Sequence, residues 1–100
     1  MIALSGDLDA AGKETIRAQL ARVDEQGSTV VDLSRVTYID STFLSELLMF
    51  ARNVHQRGGR VFLCAPSASV LRVLHIAKIE DVIPIFADRE SAMRQASELG

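Results

Sequence analysis

The segment STVVDLSRVTYIDSTFLSELL, residues 28–48, changes from the apolar pattern of a strand to that of a helix. Its first half carries a nearly continuous run of β-branched and aliphatic residues around Val30 and Leu33, as expected of a strand that is covered on both faces. From Phe43 the apolar residues recur at steps of three and four, which predicts a helix that ends at Gly58–Gly59. The segment therefore predicts a central strand followed directly by a helix.

The same alternation is found on the N-terminal side of this segment. The run MIALSG favours a short strand that stops at Gly6. Asp9 then has the side chain of a helix cap, and Ile16, Leu20 and Val23 follow at helical spacing before Gly27.

On the C-terminal side, RVFLCA repeats the pattern of a buried strand, and Pro66–Ser67 turns the chain into a third helix over residues 70–77. DVIPIFA predicts a last strand. Because Pro84 removes a backbone donor from it, we expect this strand at a sheet edge or with interrupted pairing. Asp88 is the expected cap of a final helix that ends near Leu99.

Strands that alternate with helices predict an α/β fold with a largely parallel sheet. We expect a single small domain with a mixed, mostly parallel sheet of about four strands and about four helices. A length of 100 residues, of which 48% are hydrophobic, is enough for one modest core. The sequence has neither an internal repeat nor a linker that would indicate a second domain.

Composition excludes several classes of function. Eleven Lys and Arg residues against thirteen Asp and Glu residues leave a net charge of −2, without the basic block that follows a nucleic-acid backbone. The single Cys64 rules out an intramolecular disulfide, and no Cys/His spacing resembles a metal site. No apolar stretch approaches the roughly 20 residues of a membrane span. These features predict a cytoplasmic protein that neither inserts into a membrane nor binds nucleic acid directly.

The sequence also lacks the motifs of common enzymes. It contains neither the glycine-rich loop of nucleotide-binding proteins nor a recognisable nucleophile motif, and His55 and His75 fall on different predicted helices. We therefore expect no cofactor and no catalysis. A small nucleotide-binding or hydrolytic domain is the least favoured of the functional hypotheses.

The strand-to-helix junction carries three consecutive polar residues, Asp40, Ser41 and Thr42. Because Asp, Ser and Thr are common helix caps, the three together could be no more than an N-terminal cap. One capping side chain is sufficient, however, which would leave a hydroxyl available for modification. A phosphate at a helix N-terminus is favoured by the helix dipole and by unpaired N–H groups.

Four segments, in order and with suitable spacing, resemble the STAS domain of anti-sigma factor antagonists. The resemblance covers nearly the whole chain, so residues 1–100 are interpreted as one STAS domain. The four segments are GDLD (6–9), VVDLSRVTYIDST (30–42), GGRVFLCAPSASVLRVL (58–74) and IEDVIPIF (79–86).

The resemblance implies a protein-binding module that is not an enzyme. Its expected partner is an anti-sigma factor that is also a serine-protein kinase, which the domain captures until a serine is phosphorylated. By this match Ser41 is the phosphorylation site, with Thr42 as the adjacent hydroxyl. The expected partner-binding residues are Asp40, Ser41, Thr42 and Phe43.

Phe43 lies where family members of the kinase-switched type usually carry glycine. An aromatic side chain there would either crowd the docking helix or provide a hydrophobic anchor for a different partner. The alternative hypothesis is therefore a STAS scaffold subunit of a signalling assembly or a membrane transport complex, not phosphorylated, with Phe43 as a contact.

The resemblance also identifies two departures outside this junction. The family has a strand before the segment at 6–9, for which only five residues are present, so one sheet edge could be bare and pair with a second copy. The family's Thr-Gly before the last strand is here Ala77–Lys78. A homodimer is thus among the expectations.

Overall fold

The computed structural model describes residues 2–21 and 28–99. Within these residues, four α-helices and four strands alternate along the chain, and the strands form one sheet in the order β1-β2-β3-β4. The strands are β1 (Ile2–Leu8), β2 (Thr29–Ile39), β3 (Val61–Cys64) and β4 (Ile85–Phe86). The helices are α1 (Lys13–Ala21), α2 (Ser41–Gln56), α3 (Ala68–Ile76) and α4 (Arg89–Leu99). All three strand pairs are parallel, which confirms the predicted fold class.

The sheet separates two apolar clusters of unequal size. Helices α1, α2 and α3 cover one face, where buried residues such as Leu33, Leu47 and Leu74 form the main core. Helix α4 lies on the opposite face and packs Ala92 against Val30 and neighbouring side chains of β3. The first half of β2 is therefore buried on both faces, as its continuous apolar run predicts, whereas its second half exposes residues such as Tyr38.

The N-terminal prediction needs two corrections. Strand β1 does not stop at Gly6 but continues to Leu8, because Gly6 adopts a φ of 79° at a point where the pairing register with β2 shifts. A short 3₁₀ helix, Ala10–Gly12, precedes α1, and the Asp9 carboxylate accepts a hydrogen bond from the N–H of Gly12. The predicted continuation of α1 to Val23 and Gly27 lies outside the described residues.

The end of α2 just before Gly58–Gly59, which the sequence predicts, is confirmed. Gly58 has a φ of 88°, and its N–H donates to the carbonyl oxygen of His55 at 3.0 Å. The N–H of Gly59 donates to the carbonyl oxygen of Val54, also at 3.0 Å. This pair of bonds is the Schellman arrangement, in which a glycine takes the left-handed conformation that other residues avoid.

The C-terminal strand is shorter than the predicted segment 81–87, because the 3₁₀ helix Ile79–Asp81 and the turn after it precede the short strand Ile85–Phe86. Only Ile85–Phe86 pair with β3, directly after Pro84, whose carbonyl oxygen accepts a hydrogen bond from Leu63. Among the described residues β4 is a sheet edge, as Pro84 predicts.

Two further predictions concern caps and the cysteine. Asp88 caps α4 by accepting a hydrogen bond from the N–H of Ser91 at 2.7 Å, and this bond lowers the pKa of the Asp88 carboxyl.

Cys64 is buried, and burial, followed in importance by the charge of Asp32, raises the pKa of its thiol to about 11. Cys64 thus lies in a buried strand, as the run RVFLCA predicts, and its thiol stays protonated at neutral pH.

Candidate functional site

The candidate site is the junction where β2 ends at Ile39 and α2 begins at Ser41. It lies beside the end of β1, because the N–H of Asp40 donates to the carbonyl oxygen of Leu8 at 3.2 Å. Close by, the Thr37 hydroxyl donates to the Asp7 carboxylate at 2.6 Å and links the same two strands. The segments 6–9 and 30–42 are therefore neighbours at the carboxyl edge of the sheet, which is a common position for binding sites in parallel sheets.

Asp40 is the N-cap of α2. Its Oδ1 accepts hydrogen bonds from the N–H of Thr42 at 2.9 Å and from the N–H of Phe43 at 3.2 Å. The backbone of Asp40 is extended, with φ −132° and ψ −173°, as is typical of a residue that precedes the first helical turn. Asp40 is therefore the capping residue among the three candidates that the sequence offers.

Ser41 is the first residue of the helix, and it is exposed. Among the hydrogen bonds of residues 2–21 and 28–99, none involves its hydroxyl group. Thr42, by contrast, is half-buried, and its N–H is held by Asp40. The structure thus distinguishes the two hydroxyl residues, since Ser41 is the more accessible one and has no capping role.

Phe43 is not at the surface. Its side chain is 0% exposed and belongs to the main core beneath α2. The expectation that Phe43 contacts a partner is therefore wrong for this structure, because a side chain without accessible area can contribute none to an interface. The aromatic residue that is exposed next to the junction is Tyr38, at 53%.

Glu46 was not identified from the sequence, although it is a buried charged residue one turn along the helix from the junction. Its Oε1 accepts a hydrogen bond from Nε of Arg17 at 2.6 Å, an ion pair that joins α2 to α1. The Glu46 side chain is 7% exposed, whereas that of Arg17 is 55% exposed. The pattern contained a signal, because Glu46 interrupts the apolar face formed by Phe43 and Leu47.

We predict that Arg17→Ala lowers the free energy of unfolding by about 1–3 kcal/mol, since it leaves a buried carboxylate without its partner. In a Glu46→Gln background the same substitution should cost less, with a coupling free energy of at least about 0.5 kcal/mol. Urea unfolding of the four proteins measures this coupling.

Arg94→Ala is the matched control, because its ion pair with Glu90 is 3.5 Å long and exposed on both sides. It should change stability by less than about 0.5 kcal/mol. Equal losses for Arg17→Ala in the two backgrounds would show that the Arg17–Glu46 ion pair does not stabilise the contact between α1 and α2.

Two features are absent from the part of the chain that the structure describes. No group of three or more His, Cys, Asp or Glu side chains there could hold a metal ion. Likewise, none of the helices in residues 2–21 and 28–99 has the length and apolar content needed to cross a membrane.

The chain is similar in sequence and in fold to anti-sigma factor antagonists. The protein BtrV of Bordetella bronchiseptica, whose name places it among the anti-sigma factor antagonists, is 32% identical over 91 residues, which are 89% of this chain and 78% of BtrV. The fold resembles the unphosphorylated form of the anti-sigma factor antagonist SpoIIAA, with a TM-score of 0.76, 22% identity, and coverage of 98% of this chain and 87% of SpoIIAA.

The fold is also similar to that of a sulfate transporter family protein from Wolinella succinogenes, with a TM-score of 0.81 and 19% identity over 97% of this chain and 83% of that one. At such identities the likeness of the two solved structures shows the fold alone. The sequence comparison goes further, because the sequence profile of the STAS domain family matches residues 1–92. The chain therefore belongs to the STAS domain family.

Proposed function

We propose that this protein is a non-enzymatic, cytoplasmic anti-sigma factor antagonist that is regulated by phosphorylation of Ser41. In its unmodified form it binds an anti-sigma factor that is also a serine-protein kinase, and it thereby frees a sigma factor. Phosphorylation by the same partner ends the complex. The relationship to BtrV supports this class of function, and the fold shared with SpoIIAA is compatible with it.

The observation that carries the proposal is the division of roles at the start of α2. Asp40 caps the helix, so the exposed hydroxyl group of Ser41 can be modified without loss of a capping hydrogen bond. The positive end of the helix dipole favours an added negative charge there. The fold should therefore tolerate phosphoserine.

The same charge would act differently on a docked partner. A phosphate adds about −1.5 to −2 charges next to the Asp40 carboxylate. A partner surface that fits the unmodified junction would meet like-charge repulsion and a desolvation cost, which weaken the complex. Asp40, Ser41 and Thr42 form the centre of the proposed contact, and Tyr38 provides an exposed aromatic side chain beside it.

The test is a binding assay with an anti-sigma factor kinase from the same organism, with and without ATP. We expect intact-mass analysis to detect one phosphate on the wild-type chain and none on Ser41→Ala. Ser41→Ala should remain bound in the presence of ATP, and Ser41→Asp should bind roughly tenfold or more weakly even without ATP.

Stability measurements separate this effect from a folding defect. Ser41→Ala should unfold within about 0.5 kcal/mol of the wild type, because the residue is exposed and does not cap the helix. Asp40→Ala, the capping control, should lose about 0.5–2 kcal/mol. Phosphate on Ser41→Ala, or equal affinities of wild type and Ser41→Asp, would refute the switch.

The second candidate is a STAS scaffold in a signalling assembly or a membrane transport complex. A sulfate transporter family protein shares the fold, so the fold is compatible with this role as well. Burial of Phe43 removes the contact residue first expected for this role. The same assay distinguishes the two functions, because a scaffold would bind independently of ATP and would carry no phosphate.

A further inference from the structure

A second surface with the features of a binding site lies at the other end of α2. A cavity of about 280 Å³ opens between the C-terminal half of this helix, the beginning of β3 and the segment 82–84. Val61 and Ile83, both buried, are among the residues that line it. The cavity is slightly smaller than the pockets of drug-sized ligands, which occupy about 300–1,000 Å³.

The rim of this cavity combines apolar and basic side chains. Leu48 and Val82 are 38% and 66% exposed, although both are large and hydrophobic. Arg52 and Arg60 supply two positive charges, and no acidic residue is among the nine that line the cavity. The rim is thus locally positive on a chain whose net charge is −2.

The charges select the class of occupant. Two guanidinium groups beside an apolar depression complement a ligand that has both carboxylates and an apolar side chain. A small organic anion could fill the cavity but would leave Leu48 and Val82 exposed at its rim. A helix laid over the cavity would cover both residues and insert an apolar side chain between them.

From these features we infer that the groove lined by Leu48, Arg52, Arg60 and Val82 docks an acidic amphipathic helix of a partner protein. The apolar face of that helix lies on Leu48, Val82 and the cavity, and its carboxylates pair with Arg52 and Arg60. This surface is separate from the proposed switch, because Ser41 and Arg52 are eleven residues apart on α2, or about 16 Å along the helix axis. Docking here would therefore persist when Ser41 is phosphorylated.

The experiment uses two synthetic peptides of about 15 residues, each with leucines on one helical face. The remaining positions are mostly Glu in one peptide and Lys in the other. Amide chemical shifts of the ¹⁵N-labelled full chain are followed by NMR during each titration. We expect the acidic peptide to shift the amides of Leu48, Arg52 and Val82, and the basic peptide to leave them unchanged.

Charge reversal provides the second measurement. The double variant Arg52→Glu/Arg60→Glu should bind the acidic peptide at least roughly tenfold more weakly. Arg35→Glu is the matched control. Arg35 is exposed on β2 where this strand pairs with β1, and β3 separates β2 from β4 in the sheet. Its substitution should change the affinity less than about twofold. Ser41→Asp should also retain the wild-type affinity, which separates this result from the test of the switch.

Several outcomes would overturn the inference. They include equal binding of both peptides, an unchanged affinity of the double variant, and shifts centred on the Ser41 junction. Shifts of the same amides on raising the protein concentration alone would identify a second copy of this chain as the occupant. Shifts produced by vesicles of anionic phosphatidylglycerol, but not by the acidic peptide, would assign the surface to lipid.

Discussion

Phe43→Ala is expected to lower the free energy of unfolding by about 3–5 kcal/mol, the range for removing a fully buried aromatic side chain. Phe43 is one of the largest side chains in the core and is 0% exposed. Removal of the aromatic ring would leave a cavity between α2 and the sheet. The surrounding structure relaxes only in part around such a cavity, so stability is lost. Urea unfolding followed by far-UV circular dichroism measures the loss.

Phe43→Leu is the control for this prediction, because it keeps an apolar side chain and most of the volume. We expect it to cost clearly less than Phe43→Ala. If partner binding is measured under conditions where the variants are folded, Phe43→Leu should bind like the wild type, since the residue has no exposed area. Two results together would show that Phe43 is a contact residue after all. Phe43→Ala would lower the free energy of unfolding by less than about 1 kcal/mol, and Phe43→Leu would no longer bind the partner.

Leu47→Ala and Leu74→Ala should each cost about 2–5 kcal/mol. Both side chains are 0% exposed in the main core, Leu47 on α2 and Leu74 on α3. The two helices cover the same face of the sheet, so both substitutions remove buried methyl groups from one packed layer. Equilibrium unfolding in urea, with the slope of the transition compared between variants, measures the losses.

Met49→Ala is the control, because Met49 lies on α2 two residues from Leu47 but is 56% exposed. We expect its substitution to cost less than about 1 kcal/mol. Losses below about 1 kcal/mol for both leucines, or a loss for Met49→Ala equal to theirs, would mean that α2 buries a different face.

Local patterns in the sequence were sufficient for the order of the elements. A continuous apolar run predicted a strand buried on both faces, and β2 has that environment in its first half because α4 covers the side opposite α2. The paired glycines at 58 and 59 predicted the end of α2, since a left-handed residue there satisfies carbonyl groups of the last turn. Pro84 predicted an edge strand because it lacks a backbone donor.

The sequence also predicted the position of the candidate site but not the role of each residue in it. Asp, Ser and Thr are all good N-caps, so the order Asp40-Ser41-Thr42 leaves the capping residue undetermined. The fold settles this point because Asp40 is the residue held in the extended conformation between β2 and α2, with its N–H bonded to Leu8 of β1. Ser41 is then left as the exposed residue of the first turn.

The amino-acid sequence was enough to predict the α/β class, the course of β2 into α2 and the location of the polar junction, because these depend on periodicity and on capping chemistry within short segments. Only the fold shows that Phe43 is buried and that Arg17 pairs with Glu46, 29 positions away in sequence. The direction in which a helix faces depends on the elements that pack against it, and those contacts join residues too distant in sequence for any local pattern to relate them.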